Sequence, residues 1–185
     1  MLDWPAEHSA PFRALQEHPV LTGYLESLCG SDFLIDKAPS LVAEGSDARV
    51  GTPLSTGLPE DRRRLRYANY ADTRVSKGLR LFLALAPTPE SGGVVLVPGS
   101  HNRTTEPSAA FLAGNDDQSM TEQPELKAGD VLLCATTTLF GIRGRPGRVL
   151  EIGMINSGVT PTDGYTEIEG PEWLNELSPE QQAVL

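Results

Sequence analysis

Histidine is scarce in this chain of 185 residues, which contains only His8, His18 and His101. No histidine lies between His18 and His101, and none follows His101. Because neutral imidazole is the commonest side-chain ligand of transition metals, this scarcity argues against a metal centre built from several histidines. We expect His8 and His18 at the surface or at helix ends.

Cysteine and long apolar runs are also scarce. The two cysteines, Cys29 and Cys134, lie far apart in apolar segments, which favours buried free thiols over a disulfide framework or a zinc site. No apolar run approaches the roughly 18 residues that span a bilayer, and the first residues lack the basic and apolar regions of a signal peptide. We therefore expect a soluble, cytoplasmic protein.

Positive charge is in the minority, since the formal net charge is -10. A field of this sign repels nucleic acid and anionic membranes, so neither is an expected partner. The basic residues nevertheless form two clusters, which could bind a carboxylate or phosphate if the fold brings them together, or could be solvated loop arginines. The clusters are Arg62, Arg63, Arg64 and Arg66, and Arg143, Arg145 and Arg148.

Short apolar segments are the main pattern in the sequence, and they predict a mainly β protein with flanking helices. Apolar residues at helical spacing between Val20 and Leu28, after Pro19 and before Gly30, predict an amphipathic helix. Glycine and proline separate five runs rich in valine, leucine and isoleucine, which predict strands. These runs are residues 33–43, 79–86, 94–97, 131–139 and 149–155.

The order of these segments indicates one domain over residues 1–185 with a double-stranded β-helix, the cupin-like jelly roll. A helical segment at about residues 10–30 precedes a β core at about 33–158, and Ser178-Pro179 predicts a short C-terminal helix within about 171–185. The run at 79–86 has too few polar residues to alternate. It should be covered on both faces, with helices behind the sheet and a cavity in front.

Three motifs carry a resemblance to a known family. Gly-Gly-Val-Val-Leu-Val-Pro-Gly-Ser-His ends at His101, Leu-Lys-Ala-Gly-Asp-Val-Leu-Leu begins at Leu126, and Arg-Val-Leu-Glu-Ile-Gly begins at Arg148. In order and spacing they resemble the phytanoyl-CoA dioxygenase family of Fe(II)/2-oxoglutarate oxygenases. The resemblance covers roughly the whole chain and implies the same jelly roll.

The resemblance also implies where metal ligands would stand. Members of the family hold iron with a His-x-Asp pair and a distal histidine, and an arginine on the following strand binds 2-oxoglutarate. Carried onto this chain, the pair falls on Ser55 and Gly57, the distal histidine falls on Phe140, and Arg148 is the candidate anion or 2-oxoglutarate carboxylate site. The expected ligand positions therefore hold no histidine, and no metal or cofactor is expected.

Other polar residues remain candidates for chemistry. Tyr67, His101 and Glu151 are the predicted catalytic proton donors or acceptors, with Tyr70 as a further candidate, in a cavity lined by Phe82 and Phe140. His101 could equally have a structural role at a strand end. Arg148 could pair with a ligand or with Glu151, and Glu60, Asp61, Asp72 and Glu151 form a weak alternative set of metal ligands.

Three functions are compatible with these features. The favoured one is a phytanoyl-CoA dioxygenase-like domain without iron, which binds a small anionic or apolar molecule, assists an active paralogue, or carries out a metal-independent isomerase, cyclase or lyase reaction. The alternative is an active Fe(II)/2-oxoglutarate oxygenase that hydroxylates an apolar molecule through an unrecognised ligand set. A third is an assembly module that forms a homo-oligomer.

Overall fold

The computed structural model describes residues 5–31, 33–42, 51–55, 67–70, 73–88, 92–144 and 149–156 of the chain. Two helices come first, α1 (Ala6–Gln16) and α2 (Pro19–Cys29). Proline occupies the first position of α2, where no amide hydrogen is needed, and Gly30 ends the helix at a φ of 100°. The helix predicted between Val20 and Leu28 is thus confirmed, whereas the predicted C-terminal helix lies outside the described residues.

The described part of the chain then has eight strands, joined by glycine-rich turns, a 3-10 turn at Ser100–Asn102 and a short helix, α3 (Ala109–Leu112). The strands are β1 (Phe33–Leu41), β2 (Tyr67–Tyr70), β3 (Thr73–Ser76), β4 (Gly78–Ala84), β5 (Gly92–Leu96), β6 (Val131–Ala135), β7 (Phe140–Gly144) and β8 (Val149–Asn156).

The strands form two facing sheets, and the expected jelly roll is confirmed. The larger sheet has the order β1-β8-β4-β6, all antiparallel, and β2 pairs with β3 in a separate hairpin. In the second sheet β5 pairs with β7, and isolated bridges extend the sheet on both sides. Ser55 bridges Phe140 on one side, and Glu122 bridges Leu96 on the other.

Two of the apolar clusters formed by the described residues lie on opposite faces of the larger sheet. Behind the sheet, Leu79 and Leu81 of β4 pack against Leu21 and Leu25 of α2. In front of it, Phe82 packs with side chains of the second sheet. The prediction that the 79–86 segment is covered on both faces is therefore confirmed by the burial of β4.

One predicted strand boundary is wrong, and one hairpin was not predicted. The run at 131–139 is not one strand, because β6 ends at Ala135 and a turn through Thr138 separates it from β7. The hairpin of β2 and β3 was not expected, since its sequence has no apolar run. Within the described ranges, no helix is long and apolar enough to cross a membrane.

Candidate functional site

A cation and two aromatic rings meet on the inner face of the larger sheet. Successive residues of a strand point to opposite faces, so Arg80 and Phe82 face the second sheet while Leu79 and Leu81 face the helices. The guanidinium carbon of Arg80 lies 4.5 Å from the centre of the Phe140 ring. The rings of Phe82 and Phe140 are 5.0 Å apart between centres. This is cation–π geometry in a largely apolar setting.

Glu151 neutralises this cation. Its Oε1 lies 3.3 Å from Nη1 of Arg80, and the two side chains are 7% and 18% exposed, respectively. The pair arises from the register of the sheet, in which β8 is the neighbour of β4 and Glu151 is directly opposite Phe82. A carboxylate and a guanidinium tolerate such burial only as a pair, because an unpaired buried charge is strongly destabilising.

Cys134 connects this ion pair to the edge of the sheet. It stands opposite Arg80 in the pairing of β4 with β6, so the two side chains share a face. Burial raises the pKa of the Cys134 thiol to about 11, although the positive charge of Arg80 acts in the opposite direction. Cys29 is also a free thiol, and burial raises its pKa to about 11. Free thiols were predicted at both positions and are confirmed.

Ser55 and Phe140, the two positions that the family resemblance gives to histidine ligands, are direct neighbours. The amide of Ser55 donates to the carbonyl of Phe140 at 2.7 Å, and the amide of Phe140 donates back at 3.4 Å. Residues directly opposite in an antiparallel pair present their side chains on one face. The structure therefore brings these two predicted positions together, whereas Gly57 lies outside the described residues.

The segment that carries Ser55 is held by a side-chain clamp. Gln118 accepts from the Thr52 amide and donates to the Thr52 carbonyl, both at 2.8 Å. The Nε of Arg143 donates to the Thr52 hydroxyl at 3.0 Å. Glycine is required at position 141 because a Cβ there would clash with the carbonyl oxygen of Pro53. The Phe-Gly step thus lets residues 51–55 lie close against β7.

A cavity of about 350 Å³ lies beside β6, the edge strand of the larger sheet. Tyr67 and His101 contact each other at its wall, with ring centres 4.6 Å apart and planes at 82°. The other side chains that line the cavity are mostly apolar. The lining comprises Leu28, Leu79, Leu96, Pro98, Gly99, Leu132, Leu133 and Ala135, together with Ser76, Cys134 and Thr138.

The turn that carries His101 is fixed to the turn between β6 and β7. Ser100 accepts a hydrogen bond from the Leu139 amide at 2.8 Å, and Arg103 donates to the carbonyls of Ser100 and Thr137. Partial burial lowers the pKa of His101 below 6.5. The imidazole is therefore neutral at pH 7 and can accept a proton at its one unprotonated nitrogen.

The predicted site residues consequently fall into separate groups. Tyr67 and His101 share the cavity, while Glu151 pairs with Arg80 deeper between the sheets. For Tyr70 the structure describes the backbone in β2. Several other candidates lie outside the described residues, namely Arg62, Arg63, Arg64, Arg66, Arg145, Arg148, Glu60, Asp61 and Asp72. Across the described ranges, no group of three or more histidine, cysteine, aspartate or glutamate side chains could hold a metal ion.

Arg80 was not among the residues predicted from the sequence, although a signal was present. It is the charged residue inside the apolar segment Leu-Arg-Leu-Phe-Leu-Ala. A charge within a strand covered on both faces needs a partner or a ligand. The sequence could thus have identified Arg80, but not the residue that pairs with it.

The comparisons with known proteins agree with the fold. The sequence profile described as phytanoyl-CoA dioxygenase matches residues 48–142. No curated protein matches the chain in sequence. The solved structure of HygX from Streptomyces hygroscopicus with iron bound is similar, with a TM-score of 0.58 and 19% identity over 86% of this chain and 72% of HygX.

Two further solved structures share the fold. HygX with nickel, 2-oxoglutarate and hygromycin B bound has a TM-score of 0.58 and 18% identity over 81% of this chain and 66% of that chain. The epimerase SnoN in complex with Fe3+, alpha ketoglutarate and nogalamycin RO has a TM-score of 0.52 and 21% identity over 81% and 60%. The chain thus spans only 60% to 72% of the length of these three structures.

Proposed function

The chain belongs to the phytanoyl-CoA dioxygenase family, and we propose that it binds a small organic molecule in its jelly roll without iron. The observation that carries the proposal is the guanidinium of Arg80 over the ring of Phe140. In the family, the position of Phe140 belongs to a histidine that donates a lone pair to the metal. Here the same place presents an aromatic ring and a positive charge.

These residues do not match the requirements of a ferrous ion. A phenyl ring has no lone pair to donate, and the hydroxyl of Ser55 is a poor substitute for imidazole. The guanidinium of Arg80 adds Coulomb repulsion against any divalent cation at this position, only partly offset by Glu151. Phe82 further fills the space beside Phe140 with apolar surface. The donor set and the charge both support iron-independent binding.

The chemistry that the chain's own residues can supply is proton transfer. His101 is neutral at pH 7 because burial lowers its pKa, so it can accept a proton from a bound molecule. The Tyr67 hydroxyl can donate one, and the edge contact between the rings fixes their relative orientation. Such a pair in an apolar cavity suits an isomerase, cyclase or lyase reaction. Free thiols at Cys29 and Cys134 agree with a cytoplasmic location for this activity.

An iron- and 2-oxoglutarate-dependent oxygenase is the second candidate. Family membership favours it, and HygX and SnoN have been solved with iron and with 2-oxoglutarate. In this chain it would require an unrecognised ligand set, in which His101 and carboxylates or water hold the iron. The bound groups would then supply oxygen activation.

Metal content and co-substrate affinity separate the two candidates. We expect the purified protein to contain iron well below one equivalent by elemental analysis. We also expect no saturable heat when Fe(II) and 2-oxoglutarate are titrated anaerobically. One equivalent of bound iron together with 2-oxoglutarate affinity would overturn the proposal in favour of the oxygenase.

Restoring the family's ligands tests the role of Arg80. The triple variant Ser55→His, Gly57→Asp and Phe140→His should bind Fe(II), and adding Arg80→Met should tighten that binding by about tenfold because a repelling charge is removed. Adding Lys77→Met instead removes an exposed charge near β4 and should leave the affinity unchanged. Affinity is measured by anaerobic calorimetry on variants that retain the wild-type circular dichroism spectrum.

Two results would contradict this account. Equal affinity with and without Arg80 would show that its charge does not oppose the metal. Absence of iron binding in every folded variant would show that Ser55, Gly57 and Phe140 are not the ligand positions.

A further inference from the structure

We propose that Arg80 binds the carboxylate of a small organic acid whose apolar part lies in the cavity beside β6. This assignment rests on the proposed iron-free function and gives it a ligand class. Arg148, the arginine that the family resemblance suggested for an anion, lies outside the described residues, whereas Arg80 belongs to the middle of β4. The two arginines are therefore distinct candidates for anion binding.

The guanidinium has donors available for such a ligand. Arginine carries five N–H groups in a planar fork, and Glu151 meets Nη1 with one oxygen at 3.3 Å. The ring of Phe140 covers one face of the guanidinium. Among the described residues, Arg80 has no second ion-pair or hydrogen-bond partner. Its side chain is 18% exposed, so part of it is accessible to a small molecule.

The cavity lies next to Arg80, which is not itself one of the described lining residues. Cys134 lines the cavity and is the register partner of Arg80 across the sheet. Leu96 and Leu132 line the cavity and also pack in the same cluster as Phe82 and Phe140. A molecule in the cavity would therefore have its apolar part against leucine and its charged end near the guanidinium.

The volume and the apolar lining of the cavity restrict the class of ligand further. A volume of about 350 Å³ lies at the lower end of the range for small-molecule sites. Leucine side chains make up much of the wall, and an apolar wall selects for hydrocarbon. A straight-chain monocarboxylic acid of modest length combines these features with a single anionic end.

The effect of Glu151 on ligand affinity distinguishes a carboxylate site at Arg80 from a purely structural ion pair. It competes with the ligand for the guanidinium and repels a second carboxylate nearby. Neutralising it by Glu151→Gln should therefore tighten carboxylate binding. If Arg80 served only to pair with Glu151, this variant would leave ligand affinity unchanged.

The experiment uses the straight-chain carboxylates from acetate to octanoate as probes, with the matching uncharged amides, in the presence of EDTA. Calorimetry should show an optimum chain length, with the amide of that length binding at least about tenfold more weakly, since a charged hydrogen bond is lost. Arg80→Lys should weaken carboxylate binding about tenfold, because an ammonium lacks the fork. Glu151→Gln should strengthen it, and Lys77→Met should not change it.

A double variant distinguishes an effect on ligand binding from an effect on folding. Arg80→Met with Glu151→Leu removes the whole pair without leaving a buried charge, and it should bind carboxylate and amide equally. The assignment is overturned if no carboxylate in the series binds, if amides bind as well as carboxylates, or if Arg80→Lys has no effect. Failure of the proposed iron-free function gives a different result. In that case the wild-type protein would contain stoichiometric iron, independently of how tightly the amides bind.

Discussion

The two faces of strand β4 differ in chemistry although they alternate along the same seven residues. Leu79 and Leu81 pack against the helices in a cluster made of apolar side chains. Arg80 and Phe82 point the other way, where a guanidinium, a carboxylate and aromatic rings meet. Apolar side chains on the helix-facing side are required for packing the helices on the sheet. The inner side carries a charge that folding alone does not require.

The contrast separates residues that stabilise the fold from residues that define the pocket. Hydrophobic burial is non-directional, so the helix-facing leucines contribute stability through the area they remove from water. The inner ion pair contributes little net stability, because desolvation offsets most of its Coulomb attraction. Substitutions on the two faces should therefore have different effects on unfolding and on binding.

The largest expected loss of stability comes from the helix-facing side. Leu81 is fully buried, and Leu81→Ala should lower the free energy of unfolding by about 2–5 kcal/mol, because it removes buried methyl groups and leaves a cavity. Denaturant titration measures the change. Val131→Ala, at a partly exposed position on β6, is the control and should cost less than about 1 kcal/mol. Equal losses at the two positions would contradict the packing described for α2 and β4.

A smaller effect is expected from breaking the inner ion pair. Arg80→Met removes the guanidinium that pairs with the buried Glu151 and should lower the free energy of unfolding by about 2 kcal/mol, a value reduced from that of a fully buried pair because Arg80 is partly exposed. The double variant Arg80→Met and Glu151→Leu should recover most of this loss. A double variant less stable than the single one would show that the pair itself stabilises the fold.

The smallest effect concerns the pH dependence contributed by His101. Burial lowers its pKa below 6.5, so in the window between the folded pKa and 6.5 the unfolded chain binds the proton and the folded chain does not. This contribution to stability is fully present above pH 6.5 and is lost as the pH falls through that window. His101→Asn should therefore lose less stability than wild type between pH 7 and pH 5.

The comparison for His101 is made by denaturant titration at several pH values, with His8→Asn as the control for an exposed histidine. Parallel curves for wild type and His101→Asn would mean that His101 is not desolvated in the folded state.

Local patterns predicted that the segment at 79–86 is covered on both faces, and they predicted the helix before Gly30. The apolar run at 79–86 and the helical spacing before Gly30 depend only on neighbouring residues. Strand β7 was missed because Phe-Gly-Ile-Arg-Gly contains two glycines, which weaken a strand pattern. One of them, Gly141, is required by the close approach of Pro53, a contact made by a distant segment.

The inner site depended on information that local patterns do not contain. Ser55 and Phe140 could be placed together only through the family resemblance, and the structure makes them neighbours. The pairing of Arg80 with Glu151 follows from the antiparallel register of β4 and β8, which the sequence pattern does not specify. The contact of Tyr67 with His101 likewise joins a hairpin and a turn that are far apart in the chain.

The clamp formed by Gln118 gives the segment between α3 and Glu122 a role beyond connection. A polar loop of this kind is where insertions and grafted peptides are usually tolerated. Here its amide side chain substitutes for a strand neighbour of Thr52, three residues before Ser55. Lengthening the loop next to Gln118 would therefore shift residues 51–55 relative to β7. Evolution or design can thus reshape the pocket through a loop that does not line it.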